Sequence, residues 1–186
     1  MNVKQQLIDA LLTLIAEGVL LEKITIKQLL KKANVSRQTF YNHFLDKDDL
    51  IQAVYKQKIL GQFNNKTHDF DFYEELVKVF NNIKKYQNFM KQACLLTGPN
   101  SLKEYMFEHC QAFDLKWHEV LYGQKMPQEL MLTTKYHAIA SSSMTLSWIL
   151  SDLPMEANEM AKLITTMRGV GMQRYFGAKN PYQVDK

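Results

Sequence analysis

The chain has 186 residues, of which 46% are hydrophobic, 23% charged and 11% aromatic, with 7 Gly and 4 Pro, a profile that excludes disorder and collagen-like repeats and fits a compact folded protein. A chain of this length buries roughly 70% of its unfolded surface and needs neither a disulfide nor a metal to hold a core. The formal net charge is +4, and its excess is amino-terminal: residues 1–60 carry nine Lys or Arg against six acids, the remaining 126 fourteen against thirteen, so the placement of charge matters more than its total.

In chain order, Val3, Leu7, Leu11 and Leu14, flanked by Ile8, Leu12 and Ile15, line one broad helical face that Gly18 ends. Thr25 then stands ahead of Ile26, Leu29, Leu30 and Ala33 as the cap of a second helix. Asn34 suits the left-handed residue that stops it, Val35 fills the corner, and Ser36 caps a third, short helix over 37–44. That helix turns Phe40 and Phe44 inward at i and i+4 and leaves Arg37, Gln38, Tyr41 and Asn42 outside. Asp46 caps a fourth helix through Leu50, Ile51, Val54 and Ile59, and a polar connector, Asn64 to Asp69, follows. Further helices are expected over 72–96 with a break at Tyr86, 101–121, 128–150 and 155–175, punctuated by Gly98-Pro99, Gly123 with Pro127, Pro154, and Gly177 with Pro181. No strand pattern interrupts them, so the expected fold is all-α.

The most apolar stretches, around Leu7 to Ile15 and Met144 to Leu153, are broken by Asp9, Thr13, Ser147 and Ser151, so no membrane span is expected. The first residues lack the form of a secretory signal, so a cytoplasmic location is expected. Cys94 and Cys110, sixteen positions apart and outside any C-x-x-C arrangement, read as two reduced thiols.

Between Glu22 and Lys47 there are six bases and two acids. The turn Asn34-Val35-Ser36, the run Thr39-Phe40-Tyr41-Asn42-His43-Phe44 and the helix opening Lys47-Asp48-Asp49-Leu50, in this order and spacing, resemble the DNA-binding domain of the TetR family of transcriptional regulators over about the first 60 residues. The physics points the same way. A short helix enters a major groove when the preceding helix braces it. Arg37 offers two donors to guanine N7 and O6 and Gln38 pairs with adenine, so these two would read bases. The resemblance puts Tyr41, His43 and Lys47 on the phosphate backbone, with Thr25 and Lys27 at the neighbouring strand, contacts that set register. Thr39 either touches a thymine methyl or faces the core; Asn42 lies where the family varies; Ser36 is a cap whatever else it does. Lys31 and Lys32 read as a solvated helix face.

The family resemblance divides the chain into a helix-turn-helix domain (1–46), a connecting helix (47–62), a larger helical effector- or partner-binding and dimerisation domain (63–177) and a tail (178–186). It implies a homodimer through the last two long helices, where seven of ten methionines fall at or after Met126; Met131, Met144, Trp148, Met160 and Met167 are the candidates. A two-fold dimer sets its reading helices roughly 34 to 36 Å apart on double-stranded DNA and calls for a near-palindromic operator. An effector pocket, where family members enclose one, would draw on Tyr86, Phe89, Tyr105, His109 and Trp117; plain core packing is the competing account of each.

Phe72-Tyr73-Glu74-Glu75-Leu76, the turn Thr97-Gly98-Pro99-Asn100 and the Trp148 helix look most like the DhaS branch of the family. That branch implies an activator of dihydroxyacetone kinase genes working with a DhaQ-like partner protein, against the alternative of a repressor released by a small molecule. The five histidines stand at no metal-ligand spacing, no glycine loop cradles phosphate, and Ser141-Ser142-Ser143 reads as small residues permitting close helix contact. No metal, no cofactor and no enzymatic activity are expected.

Overall fold

The computed structural model describes residues 2–61, 63 and 70–183. Among them every regular element is helical, as the periodicity predicts. The order is α1 (Val3–Ala16), α2 (Ile26–Ala33), α3 (Arg37–Tyr41), α4 (Lys47–Val54), α5 (Phe72–Lys85), α6 (Gln87–Leu95), α7 (Leu102–Tyr122), α8 (Gln128–Leu150) and α9 (Ala157–Phe176), with 3-10 turns at Leu21–Lys23 and Gly177–Lys179. None of these helices is long and apolar enough to cross a membrane. The connector expected at Asn64 to Asp69 and the end of the tail, 184–186, lie outside the described residues. Contacts divide the chain into two compact units: Met1–Ile59 with Tyr86–Tyr105, and Leu60–Lys85 with Met106–Lys186.

The first unit is built on α1, which buries Leu7, Ile8, Leu11, Leu14 and Ile15 against α2, α4 and α6. Each such side chain removed from water contributes about 1.5 to 3 kcal/mol. The helices α1, α2, α3 and α4 each begin on a side chain that accepts an amide hydrogen bond left over by helix geometry: Asn2, Thr25, Ser36 and Asp46. The helix break expected at Tyr86 is present, and the segment after it, α6, turns Phe89, Met90, Ala93 and Cys94 into this same unit. Gln92 Oε1 accepts the Leu21 amide at 2.7 Å, tying α6 to the turn before α2.

Two boundaries differ from the sequence reading. α3 ends at Tyr41 rather than Phe44, because the Leu45 amide turns to the Asp49 carboxylate at 3.1 Å and Asp46 adopts extended backbone to cap α4. The fourth helix is α-helical only to Val54 and continues over Tyr55–Leu60 as a π-turn. The wider turn places residues five apart above one another, and Tyr55, Ile59 and Leu60 are all buried.

In the second unit α5 sets Phe72, Leu76, Val79, Phe80 and Ile83 inward, mainly against α9. Trp148 of α8 lies 5.2 Å from the Phe80 ring and its indole N–H donates to the Met155 carbonyl at 3.0 Å, closing the α8–α9 corner. Residues 178–183 fold back on the unit, burying Asn180 and Tyr182. α9 packs closely on α8 because Gly171 has no side chain: a Cβ there would stand 1.9 Å from His137 Nε2. Gly171→Ala should therefore destabilise the protein by about 1 to 3 kcal/mol through overpacking, measured by urea unfolding. The loss should shrink in a His137→Ala background, as contact between the two positions requires.

Candidate nucleic-acid interface

The turn between α2 and α3 follows from local chemistry. The Thr25 hydroxyl accepts the Gln28 amide at 3.3 Å while the Gln28 side chain accepts the Thr25 amide at 2.8 Å, a reciprocal cap. Asn34 takes φ 54° and ψ 49°, the left-handed conformation that asparagine tolerates best after glycine, and the Val35 amide closes on the Leu30 carbonyl at 3.1 Å. Ser36 Oγ then accepts the Thr39 amide at 3.0 Å and lies 2.7 Å from the Thr39 hydroxyl. Ser36 is thus the cap expected of it, and the half-buried Thr39 spends its hydroxyl on that cap.

α3 is fixed from beneath by Phe40 and Phe44, both buried, with ring centroids 5.8 Å apart. On its open side Arg37, Gln38, Tyr41 and Asn42 are exposed. The Arg37 guanidinium sits 5.6 Å from the Tyr41 ring centre, a cation–π contact that extends the arginine without consuming its donors. Thr25 and Lys27 are exposed at the start of α2. Lys32 is paired with Glu17, the residue that follows α1, an exposed bond of small worth.

His43 is half-buried and lines a cleft of about 700 Å³ with Asn2, Lys4, Asp49, Lys56 and Gln57. Lys4 and Lys56 are bases that the sequence reading left unassigned, since they lie 39 residues before and 13 after His43. Only the packing of α1 on α4 puts them together. Nearby, burial and then Asp46 push the Asp48 carboxyl above its usual range, while Lys47 pulls it down.

The Lys47 ammonium donates to the carbonyls of Leu21, Glu22 and Ile24 at 3.1, 3.2 and 3.1 Å, which engages all three of its donors and latches the start of α4 to the turn ahead of α2. A phosphate contact by this residue would require giving up some of these bonds.

The candidates beyond this domain are scattered. Tyr86, Phe89 and Tyr105 fall in the first unit and His109 and Trp117 in the second. Phe89 and Trp117 are buried in their cores. Of the dimerisation candidates, Met131 and Met167 are exposed, Met144 is half-buried, and Trp148 and Met160 are buried within the subunit, where they are closed to a partner. Leu132, Tyr136 and Ile139 on α8 and Leu163, Met167 and Val170 on α9 are exposed apolar residues too, as are Val120 and Leu121 on α7. No group of three or more potential metal ligands occurs among the described residues. Burial pushes the Cys94 thiol up to about 12, which makes it a poor nucleophile.

Residues 7–54 match the model of bacterial regulatory proteins of the tetR family, and residues 71–168 match that of a transcriptional regulator C-terminal region. Among solved structures, the chain is similar to one described as dihydroxyacetone kinase operon activator DhaS, at 14% identity over 93% of this chain and 97% of that one, with a TM-score of 0.70. No curated protein matches it by sequence.

Lys47→Ala should lower stability by about 1.5 to 3 kcal/mol, the range for hydrogen bonds to a charged group. Chemical denaturation in the absence of DNA measures this directly; unchanged stability would return the ammonium to the phosphate role.

Proposed function

Because the chain belongs to the TetR family of DNA-binding transcriptional regulators, we propose that α3 reads an operator in the major groove, with Arg37 on guanine and Gln38 on adenine. The observation that carries this assignment is the exposed row Arg37, Gln38, Tyr41 and Asn42 on a helix seated by Phe40 and Phe44. Tyr41, Thr25 and Lys27 hold the phosphate backbone beside it, and His43 does so with Lys4 and Lys56. Asn42 meets the groove at its edge, and Ser36 and Thr39 orient the helix through their mutual bonds. In this reading residues 1–46 are the DNA-binding domain, 47–62 the connection, and 63–177 the regulatory and dimerisation domain of a cytoplasmic protein without catalytic activity.

The protein acts as a homodimer on a near-palindromic site. Leu132, Tyr136 and Ile139 repeat at i, i+4 and i+7 on α8, and Leu163, Met167 and Val170 repeat at the same spacing on α9. Such stripes on the outside of a subunit are what two-fold helix packing buries. The regulated genes are those of dihydroxyacetone kinase, activated together with a DhaQ-like partner protein. What supports this step is the likeness in fold to DhaS and the sequence resemblance to that branch. The competing reading, a repressor released by a small molecule, draws on the aromatic interior of the second unit.

The deciding experiment is binding to the DNA upstream of the gene and its neighbours at two salt concentrations, with and without dihydroxyacetone and the candidate partner. Strengthening by the partner supports activation, and release by a small molecule alone supports repression. Arg37→Ala should cost about 1 to 3 kcal/mol on operator DNA and relax preference at one base pair, read as affinities on operator and scrambled duplexes; equal losses on both would remove it from base readout. Tyr136→Glu should shift the protein from dimer to monomer in sedimentation while leaving its helical circular dichroism intact.

A further inference from the structure

The second unit holds a ring-shaped site that its own chain fills. Tyr182 is 1% exposed, although it lies six residues beyond the end of the last long helix. Its ring stands edge-on to three others: Phe72 at 4.7 Å, Trp117 at 5.6 Å and His118 at 5.7 Å. Phe72 and Trp117 are themselves stacked, 11° from parallel. The phenol hydroxyl lies 2.6 Å from His118 Nε2 and accepts from Arg168 at 3.3 Å. These polar partners are held in turn: His118 Nδ1 is 2.8 Å from the Thr134 hydroxyl, and Arg168 donates to Asp114 at 2.6 Å and to Ser141 at 2.9 Å.

The segment that delivers this ring starts at Gly177, whose φ of +53° ends α9, and besides the Tyr182 ring and hydroxyl it is anchored chiefly by one side chain. Asn180 donates to the Gly169 carbonyl at 2.7 Å and to Gln173 at 3.0 Å, and accepts the Tyr182 amide at 3.2 Å. The backbone approaches α9 only because residue 169 is glycine, since a Cβ there would stand 2.9 Å from the Tyr182 carbonyl oxygen. Beside the anchor, Thr166, Gly169, Gln173, Asn180 and Tyr182 border an open cleft of about 410 Å³.

We propose that this is a binding site for a small phenol, occupied in the present structure by the phenol of Tyr182, and that a free ligand of this class enters by displacing the 177–183 segment. The chemistry is selective for a ring carrying one hydroxyl. Edge-on aromatic walls suit a flat ring, and an aliphatic or hydroxyl-free occupant would leave His118 and Arg168 short of a partner in a buried place, which is costly. A tethered occupant competes at high effective concentration, so a free phenol binds the intact protein weakly and binds tighter whenever the segment is loosened. The site is independent of the DNA-binding reading, and its test measures ligand binding rather than operator occupancy.

The probe is 4-methylphenol, titrated calorimetrically into the full-length protein, Gly169→Ala and Tyr182→Ala, with toluene as the ring without the hydroxyl. Gly169→Ala leaves every group that lines the site in place and decides the case even if Tyr182→Ala does not fold. The expected result is affinity for 4-methylphenol raised at least fivefold by Gly169→Ala and further by Tyr182→Ala, with toluene at least tenfold weaker. In the unaltered protein, saturating 4-methylphenol should speed amide hydrogen exchange across 177–183, which ordinary surface binding would not do. Equal affinity in the unaltered protein and Gly169→Ala, equal binding of toluene, or unchanged exchange of the segment would each overturn the proposal.

Discussion

The second unit is organised around one guanidinium. Arg168 is 2% exposed and meets four other parts of its unit: Asp114 and Cys110 of α7, Ser141 of α8, the Tyr182 hydroxyl beyond α9, and the face of Phe72 on α5 at 5.1 Å. Burial opposes its charge, but the Asp114 carboxylate, then Tyr182 and Cys110, outweigh that and hold the group protonated above its ordinary value. Burial conversely keeps the Tyr182 phenol neutral, against the pull of Arg168. An ion pair so placed adds little net stability over an apolar core. What it imposes is geometry, because each element that moves leaves a buried donor or acceptor unpaired, and among the described residues no buried side-chain polar atom is left so.

The first unit achieves its geometry by local means. Its helix α3 has five residues, too few to persist alone, and is held by the Ser36 cap at one end and by Phe40 and Phe44 beneath. The left-handed Asn34 fixes the angle at which the chain leaves α2, and Lys47 fastens the far side of the motif to the 21–24 turn. The cap and the Asn34 turn link residues close in sequence, and the Lys47 bonds close the motif across 23 to 26 residues, which suits a domain that must present a few side chains in a fixed register to DNA.

That contrast explains what could be read from the sequence. The caps Thr25, Ser36 and Asp46, the turn at Asn34 and the inward pair Phe40 and Phe44 are decided by neighbours within four residues, and each stands where the pattern puts it. The partners of Lys47 lie 23 to 26 residues away, and a lysine opening a helix beside exposed polar residues offers no local sign that its donors are already engaged. Arg168 and Asp114 are 54 residues apart; on their own helices either reads as a solvated charge. The methionines of the last two helices are divided for a related reason. α8 and α9 are apolar on opposite sides, so their periodicity does not separate the face that packs Trp148 and Met160 inward from the one that exposes Tyr136 and Met167.

Those two-sided helices also show how the sequence of α9 is partitioned. One face, Met160, Ile164, Arg168 and Met172, supplies the core, and another, Leu163, Met167 and Val170, stays open. Between them, two glycines mark places where something other than a side chain of α9 fills the space: His137 of α8 at Gly171, and the returning backbone of Tyr182 at Gly169. Glycine inside a helix costs about 1 kcal/mol relative to alanine, and two of them within three residues weaken α9 where the core charge sits. The compensation comes from what they admit: a close α8 contact at one and, at the other, a phenol that completes the bonding of Arg168 and His118. The stability of the last helix is thereby tied to the docking of the segment that follows it, so a molecule that replaces Tyr182 must also supply the hydrogen bonds that α9 depends on.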